Sequence, residues 1–109
     1  MGNSATTARA GWGISQHKLG IFVDSMAAAA TLVFEAREFE MCTAIVEEFF
    51  RQHRRANVIK VVLSTHDLKP LRARIWHVVE GKLEAATRII VGFIMTQPGG
   101  SVTISARVG

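Results

Sequence analysis

The feature that most constrains the fold is an alternation of apolar and polar residues near the C-terminus. From Ser101 to Val108 every second residue is apolar, and the residues between them are Ser, Thr or Arg. Residues 83–96 are also apolar at every second position except Thr87, and Gln97-Pro98-Gly99-Gly100 separates the two segments. A period of two is typical of a strand with one buried face, and Pro-Gly suits a type II turn. The pattern therefore predicts an antiparallel hairpin of residues 83–96 and 101–108.

The two segments also agree on one pairing register. If Thr96 lies opposite Ser101, four apolar pairs fall on the same face: Met95 with Val102, Phe93 with Ile104, Val91 with Ala106 and Ile89 with Val108. A shift of one residue would send one member of every pair to the opposite face. We therefore expect Phe93 to face Ile104 across this hairpin.

The segment before the hairpin permits two interpretations. Residues 72–79 alternate in their first half, and Glu80-Gly81-Lys82 is typical of a turn, which together predict one more strand. Apolar residues also recur at helical spacing from Leu68 to Ala86, so a helix is the alternative. Gly81 would cost a helix interior about 1 kcal/mol, which favours the strands.

The first half of the chain predicts one long helix and one buried strand. Residues 24–55 carry apolar side chains at helical spacing, with Asp24 or Ser25 as a candidate N-cap and a bend expected near residues 37–40. Val58–Ser64 is a β-branched run that suits a strand, and residues 19–23 suit a short strand or an apolar lead-in. The expected fold is α+β: residues 1–10 are loose, and residues 11–109 form one domain with a helix packed on a curled antiparallel β-meander.

Composition sets the class of protein. A chain of 109 residues with 49% hydrophobic and 20% charged residues is expected to fold as one globular domain. No apolar run approaches the roughly 20 residues of a membrane span, and the first residues lack the apolar core of a signal peptide. Cys42 is the only cysteine, so no internal disulfide can form. These features predict a cytoplasmic protein.

Motifs for metals, nucleotides and nucleic acids are absent. The histidines, at positions 17, 53, 66 and 77, form no metal-ligand spacing, and no glycine-rich phosphate loop occurs, so we expect neither a metal nor another cofactor. The net charge is +4, with a basic cluster from Arg51 to Arg55. Cations at a helix C-terminus stabilise the helix dipole without any partner, and nucleic-acid binding is therefore not expected.

Two sites have side chains suited to proton transfer. Ser64-Thr65-His66-Asp67 follows the predicted strand, and adjacent His and Asp could move a proton, but the same residues also satisfy backbone amides in turns. Asp24 could cap a helix or, if partly desolvated, activate water, with His17 one short segment away. The structural role is favoured at both positions.

Three segments resemble the hot-dog-fold acyl-CoA thioesterases. Residues 32–39, Leu-Val-Phe-Glu-Ala-Arg-Glu-Phe, resemble the Y-F-E-x-A-R-x-E-F stretch of that family's central helix. Residues 61–72 resemble its strand followed by D-F-x-R-P-x-R, and Pro98-Gly99-Gly100 lies where the family often has D-x-D-G. The family's D-T-D and G-H-x-N-N motifs are replaced here by residues 15–20, Ser-Gln-His-Lys-Leu-Gly.

The resemblance implies a hot-dog-like fold and an acyl-thioester hydrolase, or an acyl-ligand-binding protein, that acts as a homo-oligomer with sites between subunits. Asp24, with His17 nearby, would take the catalytic role, and Lys69, Arg72 or Arg55 would meet the phosphates of an acyl-CoA ligand. The alternative hypothesis is a non-enzymatic oligomeric or small-ligand-binding α+β module, which requires none of the missing motifs.

Overall fold

The computed structural model describes the backbone of residues 20–24 and all atoms of residues 29–79 and 81–109. The secondary-structure elements are, in chain order, β1 (Gly20–Asp24), β2 (Ala29–Glu35), α1 (Phe39–Gln52), β3 (Val58–Ser64), β4 (Pro70–His77), α2 (Leu83–Ile94) and β5 (Ser101–Arg107). The strands form one antiparallel sheet in the order β1-β2-β5-β3-β4. The predicted α+β class is confirmed.

The last strand lies in the middle of the sheet. β5 separates β2 from β3, and β3 separates β5 from β4. Because every neighbouring pair is antiparallel, β2 is parallel to β3 and β4 is parallel to β5. Each helix therefore connects two parallel strands with one strand between them, which is a split β-α-β arrangement. β5 is thus distant in the chain from both of its neighbours in the sheet.

Both helices cover one face of the sheet. Alternate residues of the three inner strands point to this face and are buried, and they pack against the apolar sides of α1 and α2. The largest fully buried side chains are Phe34, Phe49, Leu32, Ile59, Leu63, Ile90, Ile94, Ile104, Val46, Val61, Val91 and Val102. This apolar burial is the main source of stability for the domain. The predicted alternation of residues 101–108 is confirmed by β5.

The strand predicted for residues 83–96 is wrong, because this segment is mainly the helix α2. Leu83, Thr87 and Ile90 are buried on one side of α2, at helical spacing. The segment is so rich in apolar residues that it satisfies a period of two and a period near 3.6 together. Consequently Ile104 pairs with Leu32 and Val61 instead of Phe93, and the predicted meander of consecutive strands is absent from the described sheet.

The single helix predicted for residues 24–55 is also wrong in its first part. Ala29–Glu35 is the strand β2, and the helix starts only at Phe39, after Glu38 as its N-cap. Of the two interpretations for residues 19–23, the strand is confirmed as β1, with Asp24 as its last residue. Asp24 is therefore the end of a strand and not the N-cap of the helix predicted over residues 24–55. The strand predicted at Val58–Ser64 is confirmed, and the one predicted at residues 72–79 corresponds to β4.

Candidate functional site

The two ends of the sheet carry different groups of loops. At one end, which we call the Glu35 end, β2 and β3 finish and β4 and β5 start. At the other end, which we call the Arg107 end, β5 finishes, α1 runs into the turn before β3, and α2 begins. Strands of seven residues separate the two ends by roughly 20 Å.

A cleft lies between the helices at the Arg107 end. We call it the interhelical cleft. It encloses about 530 Å³ and is lined by Glu47, Phe50, Arg51, Arg54, Gly81, Leu83, Glu84 and Thr87. The first four residues belong to α1 and the turn after it, and the others belong to the start of α2 and the loop before it. Its volume is within the range of about 300–1,000 Å³ that is typical of ligand sites.

The floor of the interhelical cleft is apolar. Phe50 is 4% exposed, Leu83 is 5% exposed and Thr87 is 3% exposed. The hydroxyl of Thr87 donates a hydrogen bond of 2.9 Å to the carbonyl oxygen of Leu83, one turn earlier in α2. Because this hydroxyl is already paired within the helix, its methyl group is the part of Thr87 left for apolar contact. The floor is therefore suited to a hydrocarbon group.

The rim of the cleft carries both signs of charge. Glu47 and Arg51 are exposed on α1, Arg54 follows that helix, and Glu84 lies in the first turn of α2. Arg51 is paired with Glu48, which does not line the cleft. The N-cap of α2, Lys82, makes no side-chain capping bond, so the first N–H groups of this helix have no side-chain acceptor from the cap.

Gly81 sets the chain direction at the mouth of the cleft. Its φ is +87°, and an added Cβ would meet no heavy atom within 4 Å. The requirement for glycine is therefore conformational and not steric. The amide of Lys82 donates a 2.9 Å hydrogen bond to the carbonyl of Val79, which closes the turn before α2.

The residues predicted to bind substrate do not converge. Lys69 lies in the turn between β3 and β4, and Arg72 lies in β4, both towards the Glu35 end. The guanidinium of Arg72 lies 5.1 Å from the centre of the Phe93 ring and donates a 3.3 Å hydrogen bond to Thr96. Arg55 follows α1 at the Arg107 end, beside Arg54 in sequence but not in the lining of the cleft. The structure thus brings Lys69 and Arg72 to one end and leaves Arg55 at the other.

The side chains of the two predicted catalytic residues lie outside the part of the chain that the structure describes. His17 lies outside the described residues. Asp24 is described only through its backbone, which pairs with that of Ala29 at the edge of the sheet. The sequence signal that would have identified the cleft was the helical spacing of Leu83, Thr87 and Ile90, which the apparent alternation of the same segment hid.

The Ser64–Asp67 segment begins the turn between β3 and β4, as the structural interpretation predicts. The amide of Thr65 donates to the carbonyl of Lys69, the amide of Leu68 donates to the carbonyl of Thr65, and the hydroxyl of Thr65 accepts from the amide of Lys69. Leu68 has a φ of 64°, which is unusual for a bulky residue. Within the described ranges, no group of three or more His, Cys, Asp or Glu residues could hold a metal ion.

Burial shifts the pKa of two titratable side chains among the described residues. Desolvation raises the pKa of the buried Cys42 thiol to about 12. A thiol with so high a pKa is a poor nucleophile, which agrees with a structural role. Desolvation also lowers the pKa of His53, whose ring centre lies 4.8 Å from that of Phe49 and whose Nε2 is buried without a hydrogen-bond partner. Both groups are held in their neutral forms by the protein interior.

Comparison with known proteins gives no relative: no family model, no curated protein and no solved structure matches this chain. Among the described residues, the helices are too short or too polar to cross a membrane. The function has to be argued from the geometry of the site itself.

Proposed function

We propose that this chain is a small-ligand-binding α+β module whose interhelical cleft binds an amphipathic molecule with one anionic group. The observation that carries this proposal is the combination of an apolar floor with arginines at the rim of one cleft of about 530 Å³. Ligand sites are commonly concave and mostly apolar, with a few polar groups that fix orientation. The cleft meets both requirements.

The floor supports binding of a short hydrocarbon chain. Phe50, Leu83 and the methyl group of Thr87 line it together. Each methylene that moves from water into such surroundings contributes about 0.8 kcal/mol. At roughly 0.8 kcal/mol per methylene, burial of a chain of four to six carbons provides a transfer free energy that offsets part of the entropic cost of binding.

The rim supports a single negative charge on the ligand. Arg54 provides a guanidinium group, which binds carboxylates through paired hydrogen bonds, and Arg51, which is paired with Glu48, lies next to it at the rim. The N-terminus of α2 adds oriented N–H groups and a favourable dipole. Glu47 and Glu84 repel a ligand with several negative charges, so a monocarboxylate is favoured over a polyanion.

The test compares two ligands that share a chain and differ in charge. Hexanoate and hexylamine are titrated into the protein while amide NMR signals and heats of binding are followed. Hexanoate is expected to bind and to shift the signals of Leu83 and Glu84, and hexylamine is expected to bind at least about tenfold more weakly. Equal affinity of the two ligands, or shifts confined to other residues, would contradict the proposal.

Two arginine variants separate the cleft from the general charge of the protein. Arg54→Ala is expected to weaken hexanoate binding by about five- to tenfold, because it removes one charge-assisted contact. Arg88→Ala removes the same charge from an exposed position of α2 outside the cleft lining and is expected to leave the affinity unchanged. Equal losses in both variants would assign the effect to net charge alone.

Acyl-thioester hydrolysis, which the family resemblance implies, is the narrower form of this proposal. The apolar floor would take the acyl chain of an acyl-CoA, and the basic cluster from Arg51 to Arg55 would lie near its phosphates. The hot-dog-like arrangement belongs to this narrower form as well. The test is the rate of acyl-CoA hydrolysis, measured for several chain lengths with the parent protein and with Asp24→Ala. Turnover that is lost in Asp24→Ala supports hydrolysis. Absence of turnover in the parent contradicts hydrolysis and is compatible only with the ligand-binding module.

The proposal includes the association of several copies of this chain into a homo-oligomer. The sheet face opposite the helices has no covering element among the described residues, and β4 exposes Leu71 by 47% and Ile75 by 53%. Apolar residues that are exposed on the same face of a sheet are common at protein interfaces. Light scattering after size-exclusion chromatography measures the mass directly. A particle of 11.9 kDa, the mass of one chain, at all concentrations would contradict oligomer formation.

A further inference from the structure

A group of three charged or titratable side chains lies at the Glu35 end, far from the interhelical cleft. Glu35 is the last residue of β2, and it pairs with Ser101 of β5, which also pairs with Ser64 of β3. Strands β2 and β3 are therefore about 9–10 Å apart at this level. The side chains of Glu35 and His66 nevertheless approach within 3.5 Å. They converge over the first residue of β5.

The carboxylate of Glu35 connects two cationic or potentially cationic groups. Its Oε1 accepts hydrogen bonds from Nε of Arg37 at 3.1 Å and from Nη2 at 2.8 Å. Its Oε2 lies 3.5 Å from Nδ1 of His66. One carboxylate thus fixes a guanidinium and an imidazole side by side. Because Nδ1 is the ring nitrogen next to the carboxylate, Nε2 is the one left for another partner.

Both side chains face a shallow recess. Arg37 and His66 line it together with Pro98 and Gly99, and its volume is about 350 Å³. Their side chains are 60% and 67% exposed, so a ligand can reach them. Nη1 of Arg37 and Nε2 of His66 make no hydrogen bond within the described part of the chain. Both are donors when His66 is protonated.

The walls of the recess are fixed by the backbone. Gly99 has a φ of +94° and its amide donates a 2.7 Å hydrogen bond to the carbonyl of Ala36. A Cβ at Gly100 would collide with the carbonyl oxygen of Ser64, so the loop before β5 lies directly against the end of β3. The turn that carries His66 is held by the three hydrogen bonds of Thr65, Leu68 and Lys69. The recess is therefore preformed.

We propose that Arg37 and His66, connected through Glu35, bind a small doubly charged oxyanion such as a phosphate group in this recess. Protonation of His66 adds one positive charge beside the recess. Binding therefore strengthens as the pH falls through the range in which histidine gains its proton. The recess accepts the anion through guanidinium and imidazolium donors.

Within the described part of the chain, the other charged groups at this end carry both signs. Glu38 follows Arg37 in the loop before α1, and Asp67 and Lys69 belong to the turn that carries His66. Arg72 of β4 is engaged with Phe93 and Thr96. Residues 95–100, the remaining wall, contain no titratable side chain. Among the described residues at this end, His66 is the one histidine, and histidine is the side chain whose charge ordinarily changes near neutral pH.

Sulfate is the suitable probe, because it remains a dianion while the pH is varied. NMR titration at low ionic strength follows the amides of His66 and Gly99 and compares about pH 5.5 with about pH 8. Sulfate is expected to shift these signals and to bind about five-fold more tightly at the lower pH. Absence of any shift at these amides would overturn the proposal.

Three variants assign the effect. Arg37→Ala is expected to weaken sulfate binding about tenfold, and His66→Gln to remove the dependence on pH. Arg88→Ala makes the same charge change as Arg37→Ala, but on the exposed side of α2. It is expected to keep both the affinity for sulfate and the dependence of that affinity on pH. Because Arg37 and His66 are exposed, the variants should fold, and the dispersion of the NMR signals shows whether they do. A pH dependence that persists in His66→Gln would overturn the assignment, as would an equal loss in Arg37→Ala and Arg88→Ala.

Discussion

β4 and β5 flank the same strand and have very different surroundings. Both pair with β3 along its whole length. β5 has neighbours on both sides and helices above it, so Val102, Ile104 and Ala106 are buried. β4 lies at the edge of the described sheet, and only Trp76 is partly buried. Alternation in a sequence therefore shows that a strand can have two different faces, but not whether either face is covered.

The edge strand also carries features that hinder pairing with another chain. Arg72 and Arg74 point towards the helix side of the sheet, as their register with Leu63 and Val61 shows. The strand begins at Pro70, which has no N–H group. Charges that point inward and prolines are common protections of edge strands. These features hinder hydrogen bonding of another strand to the edge of β4. They do not cover the face of β4 that is opposite the helices, which stays open to contact with another molecule.

The largest difference between the two strands is expected from matched isoleucine substitutions. Ile104→Ala in β5 removes a fully buried side chain and should lower the free energy of unfolding by about 2–5 kcal/mol. Ile75→Ala in β4 removes a side chain that is 53% exposed and should cost less than about 1 kcal/mol. Urea denaturation measures both. A cost for Ile75 as large as that for Ile104 would mean that a second copy covers β4.

The next effect concerns the start of β5. Gly100→Ala places a methyl group against the carbonyl of Ser64 and should destabilise the protein by about 1–3 kcal/mol, because backbone must move. Gly92→Ala is the matched control: it lies in α2 with open space around it and should stabilise the protein by about 0.5–1 kcal/mol. Thermal unfolding of the two variants shows whether each substitution raises or lowers the stability relative to the parent protein. A stable Gly100→Ala protein would show that β5 does not begin against β3.

A smaller effect is expected at the contact that attaches β4 to the helices. The Trp76 ring lies 5.5 Å from that of Phe93 in an edge-to-face arrangement. Trp76→Ala should therefore cost about 1–2 kcal/mol, whereas Leu71→Ala on the same strand should cost less than about 0.5 kcal/mol. Chemical denaturation distinguishes them. Equal costs would mean that β4 is held by its hydrogen bonds to β3 alone.

The smallest effect is a pH dependence of stability from His53. Burial lowers its pKa in the folded state, so the unfolded chain binds more protons than the folded one near and below pH 6.5. Stability should therefore be retained above this pH and fall as the pH drops below it. His53→Gln should reduce the fall, and His77→Gln, an exposed position on β4, should not. Urea unfolding at several pH values measures both variants, and identical curves for the parent and His53→Gln would contradict the assignment.

Part of the candidate site could be predicted and part could not. Basic residues at the C-terminus of α1 were evident from the sequence, and they include Arg51 and Arg54 of the interhelical cleft. The other wall could not be found, because residues 83–96 fit a strand as well as a helix. The contact of Glu35 with His66 joins residues 31 positions apart in the chain, and neither local propensity nor spacing contains that information.

The sequence by itself determined the α+β class, the strands at Val58–Ser64 and Ser101–Arg107, and the burial of alternate residues within β5. These properties follow from β-branched residues and a period of two, which act over a few neighbouring residues. Only the tertiary structure decided that α2 is a helix and that β5 lies between β2 and β3. The reason is that an apolar segment can bury the same side chains as a helix or as a strand, and the partners that cover it select one of the two.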